Sequence, residues 1–562
     1  MRTRTFGAAL LMLALFAGTP RADAPQASPA MEVATQELNR VMSSLQGRED
    51  APYHLAYEIV DTQQVRLSAT YGVLAANEDD HYRSADIDVR VGSPELDNTH
   101  KIRDASWWSE ESRHQVRLPI DDDPYAIRMM LWRETDDAWR AAVRRLTKVR
   151  ANEAVKVARE DRSADFSPAP VAVDIRPPVP LTVDREAWAA TLREVSAIFK
   201  EHPVVIDSRV ELLAESELRM FTSSEGTRVQ EPATRYRVSI AAFGVADDGM
   251  ELQVYDYVDA HTIEGLPGRE ELLTRAAAAA DYLERLHDAP VLDPFTGPAI
   301  LRGRAAGVFF HEVFGHRAEG HRQKDEDEGQ TFTDMVGKSI LPPFLSVVDD
   351  PSQERLGAVD LNGYYHYDDE GVAGQRVNLV DGGILRNFLL SRMPITGFSS
   401  SNGHGRRQPG NLVVPRQGNL MVQASQTVPF AELRRQLLEQ IKKQGRSFGI
   451  IVDDITGGFT LTGRITPNAF NVRPVALWKV YPDGRPDELA RGGDLIGTPL
   501  TTFARILAAG DDPDVFNGVC GAESGWVPVS AVAPSLLIQE IEVQRKEKSN
   551  DRPPLLDAPE AK

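Results

Sequence analysis

The chain has almost no cysteine: Cys520 is the only one among 562 residues. No disulfide can form within the chain, which excludes a disulfide-stabilised scaffold. A lone thiol in an oxidising compartment is a liability unless it is buried or bound, and a metal bond would engage it. Cys520 is therefore a candidate metal ligand, and a buried inert thiol is the alternative.

Excess positive charge and long hydrophobic runs are also absent. The formal net charge is −20, and no local basic stripe offsets it. An acidic surface repels phosphate backbones, so we expect no nucleic-acid partner. Hydrophobic residues make up 42% and charged residues 26%, which is typical of a soluble globular protein, and the length indicates two or three domains.

The N-terminus has the pattern of a secretory signal peptide. Arg2 and Arg4 precede an apolar run over residues 6–18, and Ala22-Asp23-Ala24 forms a small-x-small cleavage site. The run is too short for an ordinary membrane span, although a retained anchor is the alternative. We therefore predict a signal peptide over 1–24, a periplasmic or secreted protein, and no stable membrane span after cleavage.

The rest of the chain predicts an α+β fold, with an N-terminal α/β region followed by a β-rich antiparallel C-terminal domain that carries a metal-binding helix. Predicted helices cover 31–46, 124–160, 184–201 and 266–287, and predicted strands cover 54–73, 84–92, 204–222, 234–243 and 250–258. The predicted domains are 25–165, a proline-rich connector over 166–182, a second part of the α/β region over 183–290, the β-rich domain over 291–544, and a disordered tail over 545–562.

The strongest chemical motif is His311-Glu312-x-x-x-His316. Neutral imidazoles are good zinc ligands, and an adjacent carboxylate can accept a proton from water activated at the metal. Two ligands five residues apart lie about 140° apart on a regular helix, so the helix must be distorted or must end near Gly315. Two core or surface histidines are the alternative, because such motifs give false positives.

Two histidines require a further ligand. Three protein ligands plus water form the usual catalytic zinc site. The residues alone leave several candidates for the third position: His321, Glu319, nearby aspartates and Cys520, which lies between glycines in Asn517-Gly518-Val519-Cys520-Gly521.

Several stretches in the second half of the chain resemble the TldD/PmbA family of metallopeptidases, on the active TldD side. The matching stretches, in the order of the family, are HEVFGH (311–316), DDEGVAG (368–374), NLVDGGILRNFLLSR (378–392), GHGRR (403–407), PRQGN (415–419) and CGAESGWVPVS (520–530). The resemblance implies that Zn²⁺ is held by His311, His316 and Cys520, with Glu312 as the catalytic base. Ala522-Glu523 departs from the family, which more often has a lysine after Cys-Gly.

The resemblance also implies a function: hydrolysis of peptide bonds in extended or unfolded polypeptides, by a homodimer or by a heterodimer with a family paralogue. Backbone pairing to a sheet edge would allow many substrate sequences. His404, Arg406 and Arg407 lie in a glycine-flanked loop and are candidates for oxyanion or substrate contacts. The alternatives are a zinc amidase that acts on cell-wall peptides and a non-catalytic zinc-binding partner subunit. Glu312 argues against the last, because a structural zinc site needs no base.

Overall fold

The computed structural model describes residues 26–102, 114–155, 161–463, 470–497, 499–546 and 556. The predicted signal peptide and nearly all of the predicted tail lie outside the described residues. Within the described part of the chain, no helix combines the length and the apolar character needed to cross a lipid bilayer.

Two helices of the N-terminal half begin at a side-chain cap. Ser28 accepts a hydrogen bond from the Met31 amide at the start of the first helix, and Asp184 does the same for Ala187 in the third. The helices are α1 (Pro29–Leu45), α2 (Pro124–Val155), α3 (Arg185–Ala197), α4 (Arg269–Asp288), α5 (Gly303–Val313), α6 (His321–Lys324), α7 (Phe430–Lys443) and α8 (Pro499–Phe503).

The N-terminal half forms one eight-stranded sheet. Its strands are β1 (Pro52–Thr70), β2 (Val73–Ser93), β3 (Leu96–Asp97), β4 (Gln115–Leu118), β5 (Val173–Ile175), β6 (Asp207–Ser223), β7 (Arg228–Val245) and β8 (Glu251–Ala260). The order is β3-β2-β1-β6-β7-β5, with β4 added to β2 and β8 added to β7. Strands from both sides of the proline-rich segment therefore belong to the same sheet.

Two apolar clusters hold helices against this sheet. One joins α1 and α2 to β1 and β2, with Tyr57 and Leu131 fully buried. The other joins α3 and α4 to β6, β7 and β8, with Leu212 and Leu283 fully buried. The helices therefore pack on the sheet, while Arg237 of β7 and Tyr257 of β8 contact the C-terminal half.

The C-terminal half contains the remaining strands. They are β9 (Phe295–Leu301), β10 (Leu345–Asp349), β11 (Arg355–Leu356), β12 (Val359–Asp360), β13 (Val377–Asp381), β14 (Ile384–Leu385), β15 (Gly405–Arg406), β16 (Val414–Pro415), β17 (Asn419–Ala424), β18 (Gly449–Thr460), β19 (Phe470–Val480), β20 (Glu488–Ala490), β21 (Gly493–Gly497), β22 (Ile506–Ala509), β23 (Asp514–Ala522), β24 (Gly525–Ala533) and β25 (Leu536–Arg545).

These strands build two main sheets around α5. The first has the order β14-β13-β10-β17-β24-β23. In the second, β18, β9, β25, β21 and β19 pair in turn, and β19 pairs back with β18, so the ring closes. The largest apolar core of the described residues surrounds α5 between these sheets. The predicted α+β class, with a β-rich C-terminal half around a metal-motif helix, is confirmed.

Candidate metal centre

The helix that carries the histidine–glutamate pair is fixed at its start and along its length. It follows β9, a central strand paired with both β18 and β25. Phe309 and Phe310 are fully buried, and the Phe309 ring packs edge-on against Phe470 and Phe503. One face of α5 is therefore anchored in the core, while the face with His311 and Glu312 lines a cleft.

The helix ends before the second histidine. α5 stops at Val313, and a 3₁₀ turn over Gly315–Ala318 presents His316. The predicted end of the helix near Gly315 is confirmed. The tighter turn brings two side chains five residues apart to the same side, with ring centroids 5.0 Å apart.

Gly315 is needed for the space that it leaves beside the helix end. Its backbone is not in the left-handed region that favours glycine. A Cβ at this position would instead lie 1.9 Å from Oε1 of the buried Gln417. Gln417 in turn donates a hydrogen bond to the His311 carbonyl at 3.3 Å. The glycine therefore makes room for a side chain that supports the histidine pair.

The structure brings His311, His316 and Cys520 together. Nε2 of His311 lies 3.2 Å from the Cys520 sulfur, and Nε2 of His316 lies 3.3 Å from it. All three side chains are buried. The sulfur comes from β23, more than 200 residues along the chain from both rings.

This group fits a zinc ion. One donor atom from each residue lies within 4.8 Å of the other two. Two donors on a tetrahedral zinc ion are roughly 3.5 Å apart, close to the nitrogen–sulfur distances here. Nitrogen and thiolate donors are those that zinc prefers, and three protein donors leave a position for water or substrate.

The surroundings of the Cys520 sulfur favour its negatively charged thiolate form, which agrees with a role as a metal ligand. Burial by itself would raise the pKa of the Cys520 thiol, but His316, His311 and Arg416 outweigh it and hold the pKa well below its usual range. The thiolate is the form that binds metals. The site therefore already favours the state of the sulfur that a metal requires.

Glu312 stands beside the three donors without joining them. One of its carboxylate oxygens lies 3.9 Å from Nε2 of His316. The side chain is 8% exposed, and burial raises its pKa, although the two histidines oppose the rise. A carboxyl group with a raised pKa is a stronger base than an ordinary surface carboxylate.

A second layer of charged groups supports the donors. Nδ1 of His316 lies 3.2 Å from Oε1 of Glu319, and Arg322 donates a hydrogen bond to Oε2 of Glu319 at 2.9 Å. Burial would raise the pKa of Glu319, but His316, Arg322 and Arg416 together hold it at about 2. Arg416, which is fully buried, donates to the Cys520 carbonyl at 2.8 Å. Glu319 and Arg416 therefore position the histidine and the cysteine from outside.

The cleft above these residues has a volume of about 590 Å³, within the range of ligand-binding pockets. Its walls come from α5, β18 and β23, with side chains of β7 and β8 from the N-terminal sheet. Tyr257 of β8 donates a hydrogen bond to the Asn517 carbonyl at 2.5 Å, so the N-terminal sheet closes one end of the cleft. β23 is an edge strand, and among the described strands it pairs only with β24.

The three loop residues predicted as oxyanion or substrate contacts do not line this cleft. His404 is fully buried, with its ring nitrogens near Asn402 and Asp349. Arg406 donates to the carbonyls of Gln417 and Pro528, and Arg407 donates to Glu58 of the N-terminal sheet. The glycine-flanked loop is thus a structural junction, and it gives these side chains no path to a substrate in the cleft.

The other two residues named as candidates for the third ligand, His321 and Glu319, contact other side chains and not the Cys520 sulfur. His321 contacts Glu523 through Nε2, and Glu319 supports His316 from the side away from the sulfur. Sequence reasoning missed Arg416 and Gln417 as supporting residues. Both lie in the PRQGN stretch that carries part of the family resemblance, and that stretch was the available signal.

Several known proteins are similar to this chain in sequence or in fold. Residues 295–545 match the family described as the PmbA/TldA metallopeptidase C-terminal domain. A metalloprotease of Methanocaldococcus jannaschii is 28% identical over 313 residues, which cover 55% of this chain and 64% of that protein. A metalloprotease TldD homolog of Haemophilus influenzae is 31% identical over 252 residues, which cover 44% of this chain and 48% of that protein.

The similarity in sequence therefore spans about half to two thirds of these relatives, whereas the similarity in fold extends further. The crystal structure of TldE from Thermococcus kodakarensis superposes with a TM-score of 0.60, covering 92% of this chain and 100% of that chain at 12% identity. Residues 295–545 are therefore similar to the PmbA/TldA metallopeptidase C-terminal domain, and the chain shares the fold of TldE.

Proposed function

We propose that this chain is an exported zinc-dependent peptidase that hydrolyses peptide bonds in extended or unfolded polypeptides. The observation that carries the proposal is the position of Glu312, a buried carboxylate next to a two-histidine, one-cysteine donor set that faces an open cleft. A structural zinc site needs no adjacent base and usually closes with a fourth protein ligand.

The chemistry divides between the metal and the chain. When bound, zinc supplies a Lewis acid that polarises a carbonyl and acidifies water. Glu312 accepts the proton of the attacking water and passes it to the leaving amine nitrogen. Glu319 fixes the orientation of the His316 ring, and the buried aromatic residues of α5 exclude water from one side of the site.

The edge of β23 supports an extended substrate. Cys520 lies on this strand, so a peptide that pairs with its free edge would pass directly over the donor set. Main-chain hydrogen bonds are common to all peptides and would allow many substrate sequences. Single N-methyl groups placed along a cleavable peptide test this step: a strong loss of kcat/KM at alternating positions supports edge pairing, and a uniform small effect contradicts it.

The activity itself is tested with zinc-loaded protein and an unfolded, casein-like substrate. We expect hydrolysis that a chelator abolishes and that added zinc restores. Glu312→Gln should bind zinc at the same stoichiometry and lose about 10²–10⁴-fold in kcat. Glu186→Gln, an exposed substitution in the first turn of α3, is the matched control and should keep full activity.

The alternatives give different results in the same assays. Cleavage of cell-wall muropeptides without cleavage of casein-like chains would favour the amidase. A protein that binds zinc but cleaves neither would be the non-catalytic partner subunit. Full activity of a zinc-loaded Glu312→Gln protein would refute the assigned base.

Export and assembly form the remaining parts of the proposal. Loss of residues 1–24 from the intact mass of protein recovered from its native host would support signal cleavage, and an uncut chain in the membrane fraction would support the retained anchor. Light scattering tests the dimer against the mass of one chain, which is 62.1 kDa with residues 1–24 included, and mixing with a family paralogue tests the heterodimer.

A further inference from the structure

Arg304 lies in the cleft on the same helix as the first histidine. Residues 304, 308 and 311 follow the spacing of one helix face, and all three line the cleft. Seven residues of α-helix rise about 10 Å, which places the start of the Arg304 side chain about that far along α5 from His311. The cleft therefore carries a positive charge at a fixed distance from the donor set.

Aromatic rings hold the Arg304 guanidinium in place. Its central carbon lies 5.1 Å from the centre of the Tyr257 ring and 5.8 Å from that of Phe516. The side chain is 23% exposed, so it is partly removed from water. Rings at these distances favour a cation and limit the directions in which it can point.

Among the described residues, Arg304 has an ion pair with Asp454 but makes no hydrogen bond of good geometry. Its closest carboxylate is Asp454, 3.3 Å from Nε, and this Nε is buried without a hydrogen bond. The other two arginines that line the cleft are fully engaged. Arg237 donates two hydrogen bonds to Asp259, and Arg322 donates to three different carboxylates.

A partly desolvated guanidinium with free donors is suited to a carboxylate, because its planar fork can bond both oxygens at once. We propose that Arg304 is the specificity-determining residue of this cleft and binds a carboxylate of the substrate about three residues from the scissile bond. The spacing follows from the helix rise of about 10 Å and the advance of an extended peptide, about 3.3 Å per residue. The inference rests on the proposed peptidase function.

The surroundings limit the size of the preference. Asp454, Asp256 and Asp514 all act on the charge of Arg304. Asp256 is itself paired with Arg275 at 3.0 Å, and Asp454 is the only carboxylate of the described residues in direct contact with Arg304. We therefore expect a preference of about tenfold in kcat/KM, equivalent to about 1.4 kcal/mol.

The test uses the full-length, zinc-loaded protein and otherwise uncharged peptides with one cleavable bond. Asp and Asn are exchanged at each of four positions on either side of that bond, with the C-terminus as a free acid or an amide. We expect Asp to be favoured over Asn about tenfold at a position about three residues from the bond. The Asp/Asn ratio should fall to about one in Arg304→Gln and take an intermediate value in Arg304→Lys, which keeps the charge but loses the fork.

Arg302→Gln is the matched control. Arg302 lies two residues earlier, is 43% exposed and does not line the cleft, so this variant should keep the full preference. A second readout is binding: the dissociation constants of fluorescent Asp and Asn peptides are measured with Glu312→Gln, with and without Arg304→Gln. The ratio of the Asn-peptide to the Asp-peptide dissociation constant should also be about ten, and it should fall to about one when Arg304→Gln is added.

The outcomes separate the inference from the function on which it rests. Equal cleavage of Asp and Asn peptides at every position, with both termini, overturns the role of Arg304 and leaves the peptidase proposal standing. A preference that persists in Arg304→Gln overturns it as well. A preference that follows only the free C-terminus supports the inference and identifies the carboxylate as the chain end. Failure to cleave any peptide contradicts the peptidase proposal, and the binding ratio then decides the inference alone.

Discussion

Glu319 gives the sharpest test of how the metal centre is supported. Its side chain is fully buried and ionised, with the His316 ring at 3.2 Å, Arg322 at 2.9 Å and Arg416 at 3.5 Å. Glu319→Gln keeps the shape of the side chain and removes its charge. Removing one partner of a buried ion pair typically costs about 3–5 kcal/mol. Because Arg322 keeps Glu328 and Glu523, we expect the free energy of unfolding to fall by about 3 kcal/mol.

The same substitution should weaken zinc binding. A carboxylate that orients a metal-ligating histidine typically contributes 10–100-fold to metal affinity. We expect about a tenfold loss, since a glutamine oxygen can still accept a hydrogen bond from the imidazole. Urea unfolding measures the stability, and competition with a chromogenic chelator measures the zinc dissociation constant.

Glu328→Gln is the matched control for this prediction. Glu328 accepts a hydrogen bond from the same Arg322 at 2.8 Å but is not among the contacts of His316. We expect a smaller loss of stability and an unchanged zinc affinity. If Glu319→Gln binds zinc as tightly as the wild-type protein, or if both variants lose affinity equally, the assigned role of Glu319 is wrong.

Three further changes test other parts of the structure. Cys520→Ser removes the thiolate, and we expect it to lose zinc during dialysis that leaves the wild-type protein loaded, as measured by elemental analysis; retained stoichiometric zinc would contradict the ligand assignment. Phe309→Ala should lower the free energy of unfolding by about 3–5 kcal/mol, since the ring is fully buried beside Phe470 and Phe503, and a loss below about 1 kcal/mol in urea unfolding would contradict this packing. Burial lowers the pKa of His54 to about 4, below its unfolded value, so its contribution is complete above about pH 6.5 and is lost as the pH falls towards 4. The stability of His54→Gln, followed by urea unfolding, should therefore fall less than that of the wild-type protein between pH 7 and 4.5, and parallel curves would contradict the assignment.

The sequence predicted the parts of the fold that carry a strong local pattern. The strands predicted at 204–222, 234–243 and 250–258 correspond to β6, β7 and β8. The strand predicted at 84–92 is only the second part of β2, which begins at Val73. Its first part was missed because residues 77–82 are all exposed and three of them are acidic, so they show no apolar alternation. Pairing with β1 along its whole length, and not local preference, makes this segment a strand.

In the candidate site, too, the feature with a strong local pattern was predictable, and the features that depend on distant partners were not. The spacing of His311 and His316 was enough to predict the end of the helix, because the geometry of an α-helix is fixed. The places of His404, Arg406 and Arg407 could not be predicted from their loop. Their partners Asp349, Gln417 and Glu58 lie between 11 and 349 residues away, and only the folded chain brings them together. Glycines beside arginines are as typical of an exposed loop as of the buried junction that the structure has here.

The separation of 209 residues between the first imidazole and the sulfur has a consequence for biosynthesis. α5 starts from β9, which is secured by pairing with β25, the strand that ends at Arg545. A growing polypeptide therefore has its histidines long before it has the thiolate or the strand that stabilises their helix. The donor set is therefore complete only after β23 has been made, and we expect the proposed hydrolytic activity to arise late in synthesis.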